Sequence, residues 1–214
     1  MTDTGGLILV HVDPLFVVVD KPGGLLAVPG RGPDMQDCVV SRLRALFPDC
    51  IGQPAVHRLD MDTSGLMLLA RSRQAHRDLS LQFQQRRVGK RYVAILEGQV
   101  SGSAGTIRLS FRLDPDNRPR QVLDPVHGKP GVTRWRLLDR QNGRSRIEFV
   151  PLTGRTHQLR LHAAHPAGLG CPIVGDRLYG NGTRSGEMLL HATELAFVHP
   201  VTRQRLVFCS RPPF

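Results

Sequence analysis

The stretch that decides the fold is His57-Arg58-Leu59-Asp60-Met61-Asp62-Thr63-Ser64-Gly65, followed directly by the apolar run Leu66-Met67-Leu68-Leu69-Ala70. The apolar run predicts a buried strand. The nine residues before it combine an imidazole, a guanidinium, two carboxylates and two hydroxyls, and a glycine closes them. A polar loop attached to a buried strand is held rigidly enough to carry chemistry. We therefore expect Asp60 to be a catalytic carboxylate at the start of this strand.

The chain is strongly basic. Its 214 residues include 29 Lys and Arg against 18 Asp and Glu, which gives a formal charge of +11. Such an excess favours an acidic partner, with nucleic acid first and an anionic membrane second. Only three of the basic residues are lysines; the others are arginines, whose planar guanidinium binds phosphate with two hydrogen bonds and stacks on bases. Genome composition explains the arginine ratio equally well, but it does not explain the net excess.

The cysteines and the N-terminus limit the possible classes. Cys38, Cys50, Cys171 and Cys209 lie far apart and form no CxxC pair, so neither a zinc cage nor a disulfide framework is indicated. The first residues contain no basic leader followed by a long apolar stretch, and no segment has the length needed to cross a bilayer. We expect a soluble, cytoplasmic protein without a metal.

Short strands and three helices account for the rest of the chain. Asn142-Gly143 between two alternating runs is the strongest hairpin signal, and a second turn is predicted at Gly128-Lys129-Pro130-Gly131. Helices are predicted over 35–47, 73–87 and 157–165, with Ser72 and Thr156 as the N-caps of the last two. The chain contains no repeat and no long linker. The sequence therefore predicts one mixed α/β (α+β) domain over residues 1–214, with a mainly antiparallel, twisted, mixed sheet flanked by helices.

A carboxylate that stays ionised in a partly dry pocket needs a cation close to it. Arg155, Lys90 and Arg58 are the candidates, and Tyr92 offers a hydroxyl and a stacking face. Residues 71–91 hold seven basic side chains against one acid, Asp78. Such a run is either a solvated face or an RNA-facing rim, and the ordered aromatic at its end favours the rim.

Several further motifs, in the same order along the chain, resemble one family. They are Asp20-Lys21-Pro22-x-Gly24, the nonapeptide from His57 to Gly65, Lys90-x-Tyr92, the run from Pro151 to His162, Gly175-Asp176-x-x-Tyr179-Gly180 and Leu190-His191-Ala192. Together they are similar to the RluA family of pseudouridine synthases. Two further stretches resemble its founding branch, whose members modify 23S ribosomal RNA and the anticodon stem-loop of certain tRNAs. That branch also lacks the extra N-terminal RNA-binding domain that many members carry.

The resemblance implies a cofactor-free isomerisation of uridine to pseudouridine. It makes Asp60 the essential aspartate, which attacks the uracil ring or the ribose or promotes glycal formation; the sequence leaves these routes open. It makes Tyr92 the residue that packs on the target base and Arg155 the partner of the aspartate. Arg58 then fills the space of the flipped nucleotide, because a stacked uracil must be extruded before it can react. We expect Asp60, Tyr92 and Arg155 to converge in a cleft.

The partner implied is RNA, either 23S ribosomal RNA or tRNA or both, bound by a monomer. Beyond the catalytic residues, contacts with RNA are assigned to Arg58, Arg86, Arg87, Lys90, Arg118, Arg120, Arg160 and Ile173. His57, Lys21-Pro22 and Gly175-Asp176 are interpreted as structural. A kinase and a zinc hydrolase are discarded because no kinase loop or zinc-ligand spacing is present. The alternative that stays open is a non-catalytic RNA-binding or ribosome-assembly protein on the same fold.

Overall fold

The computed structural model describes residues 2–4, as backbone only, and residues 6–214. Their contacts divide the chain into two units, of which the first comprises Met1–Lys90 with His191–Pro213 and the second comprises Arg91–Leu190 with Phe214. Each unit has its own core. The prediction of a single domain over the whole chain stays a prediction.

The helices and strands alternate irregularly along the chain. In chain order they are β1 (Thr2–Thr4), β2 (Leu7–Val12), β3 (Phe16–Lys21), a 3-10 turn (Pro33–Met35), α1 (Val39–Leu46), β4 (Ser64–Ala70), α2 (Arg73–Gln84), β5 (Gly89–Glu97), β6 (Ala104–Leu113), β7 (Gln121–Leu123), β8 (Lys129–Gln141), β9 (Arg144–Pro151), α3 (Gln158–Ala164), β10 (Leu190–Val198) and β11 (Arg205–Cys209).

In the first unit, neighbouring strands follow the order β1-β2-β3-β4-β10, and β11 pairs with β10. All these pairs are antiparallel except that of β4 with β10, which is parallel at Ser64 and Gly65. Every residue of β4 is buried, as its apolar run predicts. Gly65 is required where the two parallel strands meet, because its φ is 107° and an added Cβ would collide with the backbone of Ala192. This contact holds the end of the Asp60 loop against β10.

Helix α2 covers one face of this sheet. The Ser72 side chain accepts a hydrogen bond from the Ala75 amide, which confirms the predicted N-cap. Ala75 and Leu79 are buried in a core with β3, β4 and β10. The helix ends at Gln84, three residues before the predicted end, because Arg86 has a positive φ of 57°.

In the second unit the strand order is β5-β9-β8-β6-β7, and all neighbours are antiparallel. Asn142 and Gly143 form the predicted hairpin turn with φ values of 51° and 74°. Helix α3 packs its apolar side chains, including Leu159 and Leu161, on one face of this sheet. The mixed, mainly antiparallel sheets with three helices confirm the predicted α+β class.

Two local predictions in the second unit are wrong. The predicted turn at 128–131 is partly strand, because β8 begins at Lys129. Pro130 is tolerated there since pairing of β8 with β9 starts only at Thr133, so no partner on that side needs its missing N–H. Thr156 is not the N-cap of α3; His157 takes that place in a left-handed conformation, with φ of 55° and no side-chain cap.

Across residues 2–4 and 6–214, no helix combines the length and the apolar character that crossing a membrane would require.

Candidate active site

The loop that carries Asp60 is a tight turn at the entry to β4. The amide of Thr63 donates to the carbonyl oxygen of Asp60 at 3.1 Å, which closes the turn. Leu59, Asp62 and Thr63 are buried, whereas the Asp60 side chain is only half-buried. The turn therefore fixes the backbone of Asp60 between buried neighbours, while Asp60 itself stays partly accessible.

His57 anchors the start of this loop. Its Nε2 atom accepts a hydrogen bond from the Leu68 amide at 3.0 Å, and its ring stacks on Phe83 with 4.4 Å between centroids. Burial, and then the positive charge of Lys90, lower the pKa of His57 from 6.5 to about 3. His57 is therefore neutral at physiological pH and holds the loop against β4, which confirms the structural role expected for it.

Lys21 braces the same loop from the other side. Its side chain is fully buried, and Nζ donates to the carbonyl oxygens of Pro22, Leu25 and Met61 at 2.9, 2.7 and 2.8 Å. The Gly24 amide also donates to Met61, at 2.9 Å. Burial lowers the pKa of Lys21 to about 8. The structural interpretation of Lys21 is confirmed, and the residue it holds is the direct neighbour of Asp60.

The charge of Lys21 is matched by acids of the Asp60 loop. The carboxylates of Asp62 and Asp60 act on its pKa in the direction opposite to burial. The cation thus has an electrostatic partner as well as three carbonyl acceptors.

A buried series of hydrogen bonds fixes Ser64, the residue at which β4 begins. Asp20 Oδ2 accepts a hydrogen bond from the Ser210 hydroxyl, and Ser210 Oγ lies 2.9 Å from Nε2 of His191. Nδ1 of His191 lies 2.9 Å from the hydroxyl of Ser64. Burial lowers the pKa of His191, and the charge of Asp20 acts against this shift. These hydrogen bonds connect β3, β10 and the start of β4.

Tyr92 lies in β5 of the second unit. It is paired with Phe149 of β9, is half-buried and packs on the core that includes Ala94 and Leu190. Its position therefore depends on the strand pairing of β5 and β9.

Arg155 lies in the loop between β9 and α3, and Gln158 controls the backbone of that loop. Gln158 Oε1 accepts from the Arg155 amide at 3.0 Å and from the Thr153 hydroxyl at 2.7 Å. Its Nε2 atom donates to the Val132 carbonyl at 3.0 Å and to the Thr133 hydroxyl at 2.9 Å. One buried amide thus makes four hydrogen bonds and attaches the Arg155 loop to β8.

The Arg155 side chain is half-buried, and its Nε atom donates to the Pro130 carbonyl at 3.4 Å. Asp60 belongs to the first unit, and Tyr92 and Arg155 belong to the second. The expected convergence of the three residues stays a prediction.

Two residues assigned to RNA contacts are buried. Arg160 is 4% exposed and forms two hydrogen bonds with Asp176, at 2.8 and 2.7 Å. Ile173 is 1% exposed and belongs to a core with Leu96 and Leu159. Their side chains are engaged inside the second unit, which argues against direct RNA contacts and corrects the expectation for both. The structural interpretation of Asp176 is confirmed by the same ion pair.

The other side chains assigned to RNA are accessible. Lys90 is half-buried, and burial lowers its pKa. The remaining ones are exposed: Arg58, Arg86, Arg87, Arg118 and Arg120.

Sequence reasoning quoted His191 and Gln158 within motifs but assigned them no role. Ser210 was missed entirely. Its partner Asp20 lies 190 positions away, so no local spacing could reveal the contact. For Gln158 no sequence signal was available either, because its burial and its bonds to β8 appear only in the structure.

Comparison with known proteins agrees with the resemblance in the sequence. The sequence model of the family described as RNA pseudouridylate synthase matches residues 15–165. The protein named Dual-specificity RNA pseudouridine synthase RluA from Pasteurella multocida (strain Pm70) is 43% identical over 210 residues, covering 96% of this chain and 93% of that protein. The protein of the same name from Escherichia coli (strain K12) is 37% identical over 212 residues, covering 97% and 94%.

Two solved structures are similar along most of the chain. One is described as Human RNA Pseudouridylate Synthase Domain Containing 1, with a TM-score of 0.79 and 30% identity, covering 100% of this chain and 87% of that one. The other, Human RNA Pseudouridylate Synthase Domain Containing 4, has a TM-score of 0.75 and 26% identity, covering 96% and 88%. Because the family match spans most of the sequence and the bacterial relatives cover nearly all of it, the chain belongs to the RluA family of RNA pseudouridine synthases, isomerases that convert uridine to pseudouridine in RNA.

Proposed function

We propose that this chain isomerises specific uridines in 23S ribosomal RNA and in a tRNA anticodon stem-loop, with Asp60 as the catalytic carboxylate. The observation that carries the proposal is the Asp60 turn. Its backbone is held by Lys21 on one side and by His57 on the other, while Asp60 itself is only half-buried. The relatives named dual-specificity RluA support the choice of two RNA classes.

The reaction exchanges one bond for another within a single nucleotide. The bond from C1′ of ribose to N1 of uracil breaks, and a bond from C1′ to C5 forms. The proton on C5 leaves, and N1 gains one, so the product has the composition of the substrate and the reaction consumes no cofactor. Asp60 either attacks the ring or the ribose or promotes glycal formation, and all three routes require an ionised carboxylate.

The assisting roles follow the family pattern. We propose that Tyr92 packs on the extruded base and assists removal of the proton, and that Arg155 pairs with the catalytic carboxylate. Extrusion costs roughly a few kcal/mol, and an exposed guanidinium such as Arg58 can stack in the space that the nucleotide leaves. Arg58 is exposed at the start of the Asp60 loop, which supports this role.

RNA affinity should come mainly from the exposed arginines, so binding should fall steeply with salt concentration. Arg86 and Arg87 follow α2, and Arg118 and Arg120 lie in the loop between β6 and β7. We propose these four side chains as phosphate contacts. We also propose a cytoplasmic location, since the proposed substrates are cellular ribosomal RNA and tRNA. We propose in addition that the protein is a monomer.

The experiment is to map pseudouridines in ribosomal RNA and tRNA from cells with and without the gene, and then to treat the unmodified RNAs with purified protein. We expect sites in both RNA classes to be lost with the gene and to be restored by the protein. Pseudouridine maps that are identical in the two cell lines would contradict the proposal.

A further inference from the structure

The sheet of the second unit has one face covered by core side chains and one face that carries arginines. In β8, Thr133 is buried and Trp135 packs into the core, whereas Arg134 and Arg136, which alternate with them, are exposed. In β6, Arg108 is exposed between the buried Ile107 and Leu109. Arg91 of β5 is exposed next to Tyr92. We call Arg91, Arg108, Arg134 and Arg136 together the arginine face.

Strand register brings these arginines close together. Arg134 is paired with Thr106 and Arg108 with Val132, so Arg108 and Arg134 are diagonal neighbours, about 7–8 Å apart at the backbone. Arg134 and Arg136 are two positions apart on one strand, which separates them by about 7 Å. The four guanidinium groups therefore project from one continuous surface.

Two of the four arginines, Arg108 and Arg134, have no acid partner among the described residues. Glu148 of β9 pairs with Arg91 at 3.3 Å and with Arg136 at 3.2 Å. No residue of the described part of the chain forms an ion pair or a hydrogen bond with the side chain of Arg108 or Arg134. Arg108 and Arg134 therefore carry positive charge that no ion pair within the described residues compensates. Like charges on neighbouring strands are destabilising, so this arrangement favours a bound anion.

The positive charge of Arg112, on the same face of the sheet, is compensated by an acid. Its guanidinium forms an ion pair with Asp124, and the Asp124 side chain is only 14% exposed. The charge of Arg112 is therefore compensated, in contrast to the charges of Arg108 and Arg134.

We propose that the arginine face is a second RNA-binding surface, which binds backbone phosphates of a substrate segment outside the target stem-loop. The inference rests on the proposed function, which supplies RNA as the partner. Guanidinium groups match phosphate geometry, and the half-buried Val132 and Val150 are paired with Arg108 and Arg134 on the neighbouring strands. Tyr92 packs on the opposite face of this sheet with Phe149, so the RNA bound at the arginine face is a different segment from the one at Tyr92.

The experiment compares two RNAs. One is a minimal anticodon stem-loop, and the other is a long 23S ribosomal RNA fragment with the target stem-loop and its flanking helices. The test variant carries Arg108→Gln and Arg134→Gln. We expect its Kd for the long RNA to rise roughly tenfold, and the slope of log K against log salt to lose about two. Binding and isomerisation of the stem-loop should be unchanged.

The matched control is the double variant Arg144→Gln and Arg184→Gln, which removes the same charge from the same unit. Both side chains face an acid, Glu97 at 3.3 Å and Glu187 at 3.7 Å, so their charges are already compensated. We expect its affinity for either RNA to change less than twofold. Thermal unfolding of both double variants checks that they are folded.

Three results would overturn the inference: equal weakening for both RNAs, an unchanged salt slope for the long RNA, or an equal effect of the control variant. These readouts measure binding. Failure of the proposed function would instead appear as absence of pseudouridine with the wild-type protein, whatever the affinities.

Discussion

Nζ of Lys21 lies 2.8 Å from the carbonyl oxygen of Met61, the residue that follows Asp60. The same carbonyl accepts a hydrogen bond from the amide of Gly24, so the turn after β3 and the Asp60 loop are joined at one oxygen atom. Joining two turns through a buried ammonium group with three carbonyl acceptors costs free energy, because burial disfavours the charged form of the group. The contact fixes the backbone from which the Asp60 carboxylate projects.

Replacement of Lys21 by Met should destabilise the protein by roughly 1–3 kcal/mol and strongly reduce isomerisation, because buried carbonyl oxygens lose their donor. The difference in stability between the wild type and Lys21→Met should also depend on pH. Lys21 has a pKa of about 8 when folded against 10.5 as its ordinary value, so the unfolded chain binds more protons between these values. The stability of the wild type should therefore rise relative to Lys21→Met as pH rises from 8 to 10.5. Denaturant unfolding at several pH values measures this, and a pH-independent difference would contradict it.

Two imidazoles should stay neutral well below their ordinary pKa. Burial lowers the pKa of His162 to about 4, and burial with the charge of Lys90 lowers that of His57 to about 3. The unfolded chain takes up protons below pH 6.5, but the folded chain does not, so stability should fall as pH drops from 6.5 towards 4. NMR titration of the ring nitrogens tests both values, and protonation of either ring above pH 6 would count against the structure.

The variant His162→Phe isolates one of these two contributions. Nδ1 of His162 lies 3.0 Å from Thr133 Oγ1, which also accepts a hydrogen bond from Gln158. The other ring nitrogen, Nε2, is buried and finds no partner in the described residues. His162→Phe should remove this part of the acid sensitivity. A wild type and variant with the same loss of stability in acid would show that His162 titrates normally.

Gln158 should act on turnover through the backbone of Arg155. Gln158→Ala removes all four hydrogen bonds of the side chain, and displacement of a site residue by about 1 Å can cost about 100-fold in rate. We expect kcat to fall roughly 10- to 100-fold with a smaller change in KM. Gln158→Glu keeps an acceptor for the amide of Arg155 and should recover part of kcat. Equal kcat values for the two variants would mean that Gln158 has only a general structural role.

Arg58 should matter most where a nucleotide leaves a stacked helix. Arg58→Ala should slow isomerisation of a folded stem-loop more than that of a flexible single strand, because only the stem-loop leaves a gap to fill. Single-turnover rates on the two RNAs provide the comparison. Equal slowing on both would remove the gap-filling role.

The parts of the fold that depend on local pattern were predictable from the sequence. The apolar run of β4, the cap at Ser72 and the turn at Asn142 each have a short-range signal, and each is present in the structure. The burial of Arg160 was not predictable, because it depends on an ion pair with Asp176, sixteen positions away. The anchoring of Ser64 through His191 likewise depends on long-range strand pairing.

In the candidate site too, features set by neighbours in the sequence were predictable, and features set by long-range contacts were not. Asp60 was singled out by its neighbours in the loop, and the structural role of His57 was expected for the same reason. Two of the four hydrogen bonds of Gln158 are to Val132 and Thr133 of β8, more than twenty positions earlier, and no motif within the loop encodes these two.

The most direct test of the account is the variant Asp60→Asn, measured for RNA affinity and for pseudouridine formation in the same preparation. Asparagine keeps the size of the side chain and removes its negative charge. We expect that affinity for the target stem-loop changes little while pseudouridine formation is abolished. Pseudouridine formation at the wild-type rate by Asp60→Asn would contradict it.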